Sequence, residues 1–504
     1  MEKLDPRTAS YLQLETPHAP MHIGGLYLFD GAEAGAEASY QALYEYTEAR
    51  LNYWPRLRQR IVEVPLNLDC PSWIDDPDFY LGHHLRLRAL TAPRDYGALL
   101  ALAQRFIARP LDRRRPLWDV TFVEGLEGVR GLGPGSFAII MRVHLAMAKD
   151  TVEGGARIRL TTSKPTASIP PAPARLWQPE PLPTDAQLLA RAWGRAISRP
   201  VDLAHLIGRG AMTAAHMVMA GTKGGTELPP LVFDAPPTPW NRPVRPPRAV
   251  DTARIDLARV AAIGDAVGDV EHNDVILALI GGMLRETLAR AGSLPDQPVV
   301  ALSPVLVEKA DGGTAGQPLL TTLATDVDSP RERLLRIQEA ARQSESYLDG
   351  MPVEKIAVHD PLSLAVQGVE LGARLHLADR HRPIFNLVCV NLPVAAGQRY
   401  LLGARLVDRA FMLPLMDGQG LSISVIRCRD QLTMTAVWCP GPAPALDGLP
   451  ARVDRARESR ESAGGRGAAG WVCRRGAGRG RARRGRAGGG ARARARAARP
   501  PPAV

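Results

Sequence analysis

A chain of 504 residues with 45% hydrophobic side chains is too long for one small core, and it predicts two globular domains rather than a disordered polypeptide. The formal net charge of +11 comes from residues 451–504, which carry +13, so residues 1–450 are close to neutral, at −2. The charge of the folded part therefore argues against a nucleic-acid-binding protein.

The cysteines indicate neither a metal site nor a disulfide framework, because all five are scattered without a Cys-x-x-Cys pair or a histidine at ligand spacing. Met1–Ser10 lacks the apolar core of a signal peptide, and no uncharged apolar run reaches the roughly 18 residues that a membrane span needs. We expect a cytoplasmic protein, and any contact with a membrane would be from the cytosolic side.

Residues 1–162 alternate short β-like runs with amphipathic helical stretches, a pattern typical of an α/β domain. The predicted elements are strands at 22–29, 58–64, 117–124 and 136–143, and a helix at 36–53. The apolar run of the last strand predicts burial on both faces, and this strand leads directly to His144.

The composition changes at residues 163–248, where Pro-rich pieces flank a stretch with helical periodicity at 185–220, so this segment predicts a linker with its own helix. Residues 249–445 predict a second α/β domain. Its predicted elements are helices at 273–291 and 330–348, and strands at 299–307, 384–391, 421–428 and 432–439.

Residues 446–504 consist largely of Gly, Ala and Arg and predict a disordered tail, because they contain too little apolar surface to offset the entropy of ordering. An Arg-rich tail can bind RNA or anionic lipid, and an out-of-frame reading of GC-rich coding sequence would give the same repetitive composition. The tail is assigned no function.

His144 is the candidate general base, since it leaves a buried strand and Asp150 follows within six residues. Imidazole titrates near neutral pH and suits proton abstraction from an alcohol. A lone histidine at a strand end is nevertheless more often structural than catalytic. Other parts of the sequence are therefore needed to distinguish a structural from a catalytic role of His144.

Several short blocks resemble, in the same order, those of bacterial wax ester synthase/diacylglycerol acyltransferases. They are Leu4-Asp5-Pro6 with Pro20-Met21-His22-Ile23-Gly24, the PLW block Pro110–Trp118, Thr238-Pro239-Trp240-Asn241, the ND block Asn273-Asp274, and Asp417-Gly418-Gln419-Gly420-Leu421. The matches span residues 1–440, and the Arg-rich tail has no part in them.

The resemblance implies a two-domain fold similar to CoA-dependent acyltransferases such as chloramphenicol acetyltransferase, with a tunnel between the domains. It implies transfer of a fatty acyl group from acyl-CoA to diacylglycerol or a long-chain alcohol, without a cofactor or metal. In that family an HHxxxDG motif supplies the base through its second histidine, and its Asp holds the loop. Peripheral contact with the inner face of the plasma membrane or with lipid droplets follows from the lipid substrates.

The motif is altered in this chain, because Leu145 stands where the second histidine should be and Lys149 is an extra residue before Asp150. Leucine cannot accept a proton. Either His144 has taken over as the base, or the protein is impaired and binds lipid without turnover, or the sequence is in error here. We expect His144 as the base and Asp150 as the residue that holds the loop.

Asn273 and Asp274 stand at the start of a predicted helix, where capping of free backbone N–H groups is one interpretation. The resemblance supplies the other, a contribution to the substrate site. His83 and His84 lack a following Asp-Gly and are interpreted as structural or surface residues. Transfer to another acceptor, as in condensation-type acyltransferases, is a further alternative on the same fold.

Overall fold

The computed structural model describes the folded part of the chain with several gaps. The described residues are 1–32, 38–65, 68–147, 160–166, 177–198, 235–268, 270–308, 314–349, 383–392 and 397–456. Contacts divide the chain into Met1–Gly464, which holds all of these ranges, and Gly465–Val504. Asp150 and most of the Arg-rich tail therefore lie outside the described residues.

The described part combines strands and helices in mixed order. The strands are β1 Glu2–Lys3, β2 His22–Asp30, β3 Gln59–Val62, β4 Ser72–Asp75, β5 Leu85–Ala89, β6 Trp118–Glu124, β7 Phe137–His144, β8 Ala249–Asp256, β9 Val300–Glu308, β10 Thr314–Thr322, β11 Leu387–Leu392, β12 Tyr400–Leu401, β13 Ala404–Met412, β14 Leu421–Cys428 and β15 Gln431–Trp438. The helices are α1 Pro6–Leu14, α2 Tyr40–Glu48, α3 Tyr96–Ile107, α4 Asp185–Ser198, α5 Leu257–Val267, α6 His272–Arg290, α7 Pro330–Asp349 and α8 449–456.

Two six-stranded sheets organise this part of the protein. The first has the strand order β12-β13-β2-β7-β6-β5, and the second has the order β10-β9-β11-β14-β15-β8. Strand β7 lies inside the first sheet, antiparallel to both β2 and β6. Both of its edges are therefore hydrogen-bonded, and its end is held in a fixed position.

Strand β13 ties the two sheets together. It pairs with β2 in the first sheet, and a β-bulge between Leu406 and Asp408 interrupts that pairing. A bulge re-aims a side chain, and here the buried Asp408 carboxylate accepts hydrogen bonds from Arg254 of β8 (2.9 Å) and Thr433 of β15 (2.7 Å). A buried carboxylate of the first sheet thus makes polar contacts with two strands of the second.

Helix α6 lies in the second half of the chain, and most of its length is buried. A helix that is hydrophobic on nearly all sides belongs inside a core. It approaches the backbone of residue 323 so closely that a Cβ atom at Gly281 would lie 2.2 Å from the carbonyl oxygen of Leu323. Glycine is therefore required at position 281.

The mixed α/β architecture predicted from the sequence is confirmed, and most predicted strands lie within two residues of their observed positions. The predicted helix 36–53 is shorter, because α2 is followed by a separate 3-10 turn at Leu51–Tyr53. The part of the predicted linker helix beyond residue 198 lies outside the described residues.

Two differences concern the expected boundaries. Strands β12 and β13 come from the segment 249–445 but belong to the sheet of the first domain, because β13 offers its edge to β2. The prediction that disorder begins at residue 446 is wrong at its start, because residues 449–456 form helix α8. Leu446 just before helix α8, together with Leu449 and Val453 of the helix, belongs to the hydrophobic core of the second half, and all three are at least 96% buried. The helix contacts α6 through hydrogen bonds from Arg452 to Thr287 (3.0 Å) and from Arg455 to Glu286 (2.9 Å). These few apolar residues stand among charged residues, so the overall composition of the segment did not predict the helix.

Candidate active site

His144 is the last residue of β7, which is an interior strand of the first sheet. It faces His22 across the β2–β7 pair, and its backbone N–H donates to the carbonyl of Leu117 (3.0 Å). Its side chain is 0% exposed. The buried strand predicted at 136–143 therefore carries His144 to a fixed, enclosed position.

The hydrogen bonds of the His144 ring determine its tautomer. The backbone N–H of Ala146 donates to Nδ1 at 3.0 Å, so Nδ1 holds a lone pair and Nε2 carries the proton of the neutral ring. Burial, together with the nearby Arg113 cation, lowers the pKa of His144 to about 3. The ring is therefore neutral at pH 7.

Glu15 is the acidic residue beside this ring. Its Oε1 lies 3.7 Å from Nε2 of His144, which is longer than a hydrogen bond, and with a neutral ring the contact is no ion pair. Among the described residues, Nε2 has no hydrogen-bond partner. The Glu15 carboxylate accepts from the Met21 N–H (3.1 Å) and from Nε of Arg113 (2.8 Å).

Local sequence explains why Glu15 is placed here. Helix α1 begins at Pro6, and the Asp5 side chain caps it by accepting from the Thr8 N–H (3.0 Å). The helix ends with Glu15 as its C-cap residue, directly before the turn that leads into β2. Sequence reasoning missed Glu15 and Arg113, and only Glu15's position shortly before the Pro-Met-His block could have drawn attention to it.

Leu145 continues the chain from His144 in a 3-10 turn, Leu145–Met147, and its backbone N–H donates to the Met21 carbonyl (2.9 Å). Its side chain is half-buried. Asp150 lies outside the described residues, together with Lys149 and Thr151, so its expected role in holding this loop stays a prediction.

A buried ion pair supports β7 two residues before His144. Arg142 and Asp119 face each other across the β6–β7 pair, with Arg142 Nε donating to Asp119 Oδ1 at 2.9 Å and Nη2 donating to Oδ2. Arg142 Nη1 also donates to the carbonyls of Phe106 (2.8 Å) and Arg109 at the end of α3. The pair fixes β7 relative to β6 and α3.

His22 has the opposite tautomer to His144. Its Nε2–H donates to the Ile107 carbonyl (2.9 Å), which leaves a lone pair on Nδ1, and Nδ1 has no partner among the described residues. Burial, followed by the Arg142 charge, lowers the pKa of His22 to about 3. A small cavity adjoins this histidine and is lined also by Arg248 and Leu415.

Asn273 and Asp274 lie in the second half of the protein, at the second and third residues of α6, since the helix begins at His272. The N-cap residue Glu271 makes no side-chain capping hydrogen bond. Asn273 Oδ1 accepts from Asn391 Nδ2 of β11 (3.2 Å), whereas the hydrogen bonds of His144 are with Leu117 and Ala146 in the first half of the chain. Neither the capping nor the substrate-binding interpretation is decided by these contacts.

Other motif residues form a structural junction. Asn241 Nδ2 donates to the carbonyls of Asn386 (3.2 Å) and Gly418 (2.9 Å), and Asn386 Nδ2 donates to Asn241 Oδ1 (2.9 Å). The Asp417 carboxylate accepts from the Val244 N–H (2.9 Å). The Thr238–Asn241 and Asp417–Leu421 blocks, together with Asn386, thus connect segments of the second half of the chain that are distant in sequence.

The remaining histidine motif is structural, as predicted. His84 is buried, stacks on Trp118 with ring centroids 4.6 Å apart, and its Nδ1–H donates to the Trp118 carbonyl (2.7 Å). His83 is exposed. The described residues contain no group of three or more His, Cys, Asp or Glu side chains that could hold a metal ion.

Two sequence models of known domains match the chain. Residues 4–276 match the wax ester synthase/diacylglycerol acyltransferase catalytic domain, and residues 317–458 match the WS/DGAT C-terminal domain. The first match contains His144, and the second ends close to the last residue of α8.

Named relatives agree with these matches. A Mycobacterium tuberculosis protein (strain H37Rv) named for diacylglycerol O-acyltransferase activity is 30% identical over 456 residues, covering 89% of this chain and 88% of the relative. Another such protein, from strain CDC 1551, is 32% identical over 473 residues, covering 92% and 100%.

A solved structure supports the fold. The wax ester synthase/diacylglycerol acyltransferase from Marinobacter aquaeolei VT8 superposes with a TM-score of 0.66 at 24% identity, covering 92% of this chain and 100% of that one. The fold class expected from the sequence, that of the two-domain CoA-dependent acyltransferases, is therefore confirmed. The chain belongs to the wax ester synthase/diacylglycerol acyltransferase family and is an acyl-CoA-dependent O-acyltransferase.

Proposed function

We propose that the protein transfers a fatty acyl group from acyl-CoA to the hydroxyl of diacylglycerol or of a long-chain alcohol, giving triacylglycerol or wax ester. The observation that carries the proposal is the catalytic-domain match over residues 4–276, within which His144 ends a buried strand at the position of a motif histidine. Acyl-CoA is the substrate, and no cofactor is proposed.

His144 is the base in this proposal, acting through Nδ1, the ring nitrogen that holds the lone pair. The acceptor hydroxyl gives its proton to Nδ1 while its oxygen attacks the thioester carbonyl. The tetrahedral intermediate then collapses, and the departing CoA thiolate takes the proton back from the imidazolium. A positioned base of this kind contributes about 10²–10⁴-fold. Because the Ala146 N–H occupies Nδ1, substrate binding has to replace that hydrogen bond.

Other residues receive secondary roles. Asp150 is proposed to hold the loop that follows β7. Asn273 and Asp274 are proposed to contribute to the substrate site from the second half of the chain. Helix α6 carries both of the latter residues, and the family resemblance of the ND block supports this assignment. None of the three is proposed to transfer a proton.

A non-catalytic lipid-binding role was the alternative raised by Leu145. The relatives described above carry acyltransferase names, so the comparisons give that alternative no support. The question that remains is how the chain compensates for leucine at position 145.

We further propose a cytoplasmic location with peripheral contact to the inner face of the plasma membrane or to lipid droplets. The lipid nature of the acceptors supports such contact. Among the described residues, no helix is both long and apolar enough to cross a bilayer. Nucleic acid is not a proposed partner, because residues 1–450 are nearly neutral.

The test is an assay of CoA release from palmitoyl-CoA with dioleoylglycerol or hexadecanol, followed by extraction of the lipid product. The native protein is compared with the His144→Ala, Leu145→His and His83→Ala variants, the last being an exposed control. We expect turnover by the native protein, its loss on His144→Ala, and no change on His83→Ala. Full turnover by the His144→Ala protein would contradict the assignment of the base.

A further inference from the structure

Glu15 is a buried carboxylate whose position is fixed from several sides. Its side chain is 7% exposed. One oxygen accepts from the Met21 N–H, and the other accepts from Arg113 Nε, while Arg113 itself also donates to the Leu12 carbonyl at the end of α1. A carboxylate held in this way cannot turn to another partner without breaking these hydrogen bonds.

The Glu15 carboxylate faces the protonated nitrogen of His144. The Ala146 N–H occupies Nδ1, so the proton of the neutral ring is on Nε2, 3.7 Å from Glu15 Oε1. Among the described residues, the charged or titratable groups close to His144 are Glu15 from the end of α1, Arg113 from the loop before β6, and His22 from β2. Glu15 is the anion of this set.

We infer that Glu15 is a positioning residue for His144: it orients the ring through Nε2–H and stabilises the imidazolium that forms when Nδ1 takes the proton of the acceptor hydroxyl. The inference rests on the proposed function. It also explains how His144 can act without the second motif histidine, since a carboxylate on one ring nitrogen prepares the other for proton transfer.

The effect of Glu15 is specific to the reacting state. With a neutral ring, a contact of 3.7 Å contributes little, because it exceeds hydrogen-bond length. Once Nδ1 is protonated, the ring and the carboxylate carry opposite charges in a buried environment, where their attraction is much stronger than in water. An interaction that strengthens in this way raises kcat rather than substrate affinity. Arg113 offsets part of it by its own charge.

The matched control is Glu63, because it also pairs with Arg113 (3.2 Å to Nη1) but its side chain is exposed. Glu15→Gln and Glu63→Gln therefore each remove one carboxylate from Arg113, and only the first removes the charge beside His144. We expect Glu15→Gln to lower kcat about 10²-fold with the KM for palmitoyl-CoA unchanged. Glu63→Gln should leave kcat within about twofold.

Two further variants separate positioning from general stability. Glu15→Asp keeps the charge and should retain more of kcat than Glu15→Gln, and it serves as the test if the Gln protein does not fold. In a Leu145→His background, where the second motif histidine is restored, Glu15→Gln should cost much less. Urea unfolding of each protein checks that it is folded.

The outcomes distinguish the inference from the function it rests on. Native turnover with equal losses from Glu15→Gln and Glu63→Gln, or equal losses in both backgrounds, would overturn the role of Glu15 alone. Turnover only after Leu145→His would overturn both that role and His144 as the base. Turnover by neither protein would overturn the proposed function itself.

Discussion

The ion pair between Arg142 and Asp119 offers the sharpest test of how the strand that ends at His144 is held. The two residues are 5% and 4% exposed, and the Asp119 carboxylate is the only acid with which Arg142 pairs among the described residues. The perturbation is Asp119→Asn, which keeps the size of the side chain and removes its charge.

The magnitude follows from burial. Asparagine still offers one oxygen to the Arg142 guanidinium, but its amide N–H groups face the remaining donor, and the cation loses its counter-charge. Removing one partner of a buried pair costs about 3–5 kcal/mol, because the other charge is left uncompensated. The two carbonyls that Arg142 Nη1 contacts at the end of α3 cannot replace a full negative charge.

The assay is urea unfolding followed by circular dichroism, with Asp328→Asn as the control. Asp328 also accepts two hydrogen bonds from one arginine, Arg285, but its side chain is 93% exposed, so little change is expected. The double variant Asp119→Leu with Arg142→Met should recover most of the loss, since an apolar pair can replace a buried ion pair. If Asp119→Asn costs no more than Asp328→Asn, the reasoning is refuted.

Other predictions concern the core, acid stability and the junction. Gly281→Ala should destabilise the protein by about 1–3 kcal/mol in urea unfolding, because its Cβ would meet the Leu323 carbonyl oxygen; an unchanged midpoint would contradict this close approach. Burial lowers the pKa of His84 to about 4, so its neutral form stabilises the fold above pH 6.5 and this stability is lost as the pH falls toward 4. Unfolding free energies measured from pH 7 to 5 should therefore fall less steeply in His84→Phe, by up to about 1.4 kcal/mol per pH unit, and identical slopes would show that His84 does not titrate in this window. Asn386→Leu should cost about 3 kcal/mol or more in the same unfolding assay, since it leaves Asn241 and buried backbone groups without partners, and a loss below 1 kcal/mol would refute this estimate.

Much of the architecture follows from local pattern. Alternation and apolar runs predicted strands β2, β7, β14 and β15, and helical periodicity predicted α6, because burial of one face or of a whole element leaves a repeat in the sequence. The spaced blocks predicted the family and drew attention to His144. These are properties of neighbouring residues, and the sequence alone determines them.

Contacts between distant residues had to come from the tertiary structure. The pairing of β13 with β2 depends on which strand edge is free after folding, and no local pattern encodes it. Likewise, Glu15 and His144 are separated by most of the first domain in sequence, and they meet only because α1 ends beside β7. The ring tautomer of His144 was equally hidden, since it depends on a backbone N–H that folding brings to Nδ1. The sequence determined which residue types are available, whereas the packing of elements decided which of them lie close together.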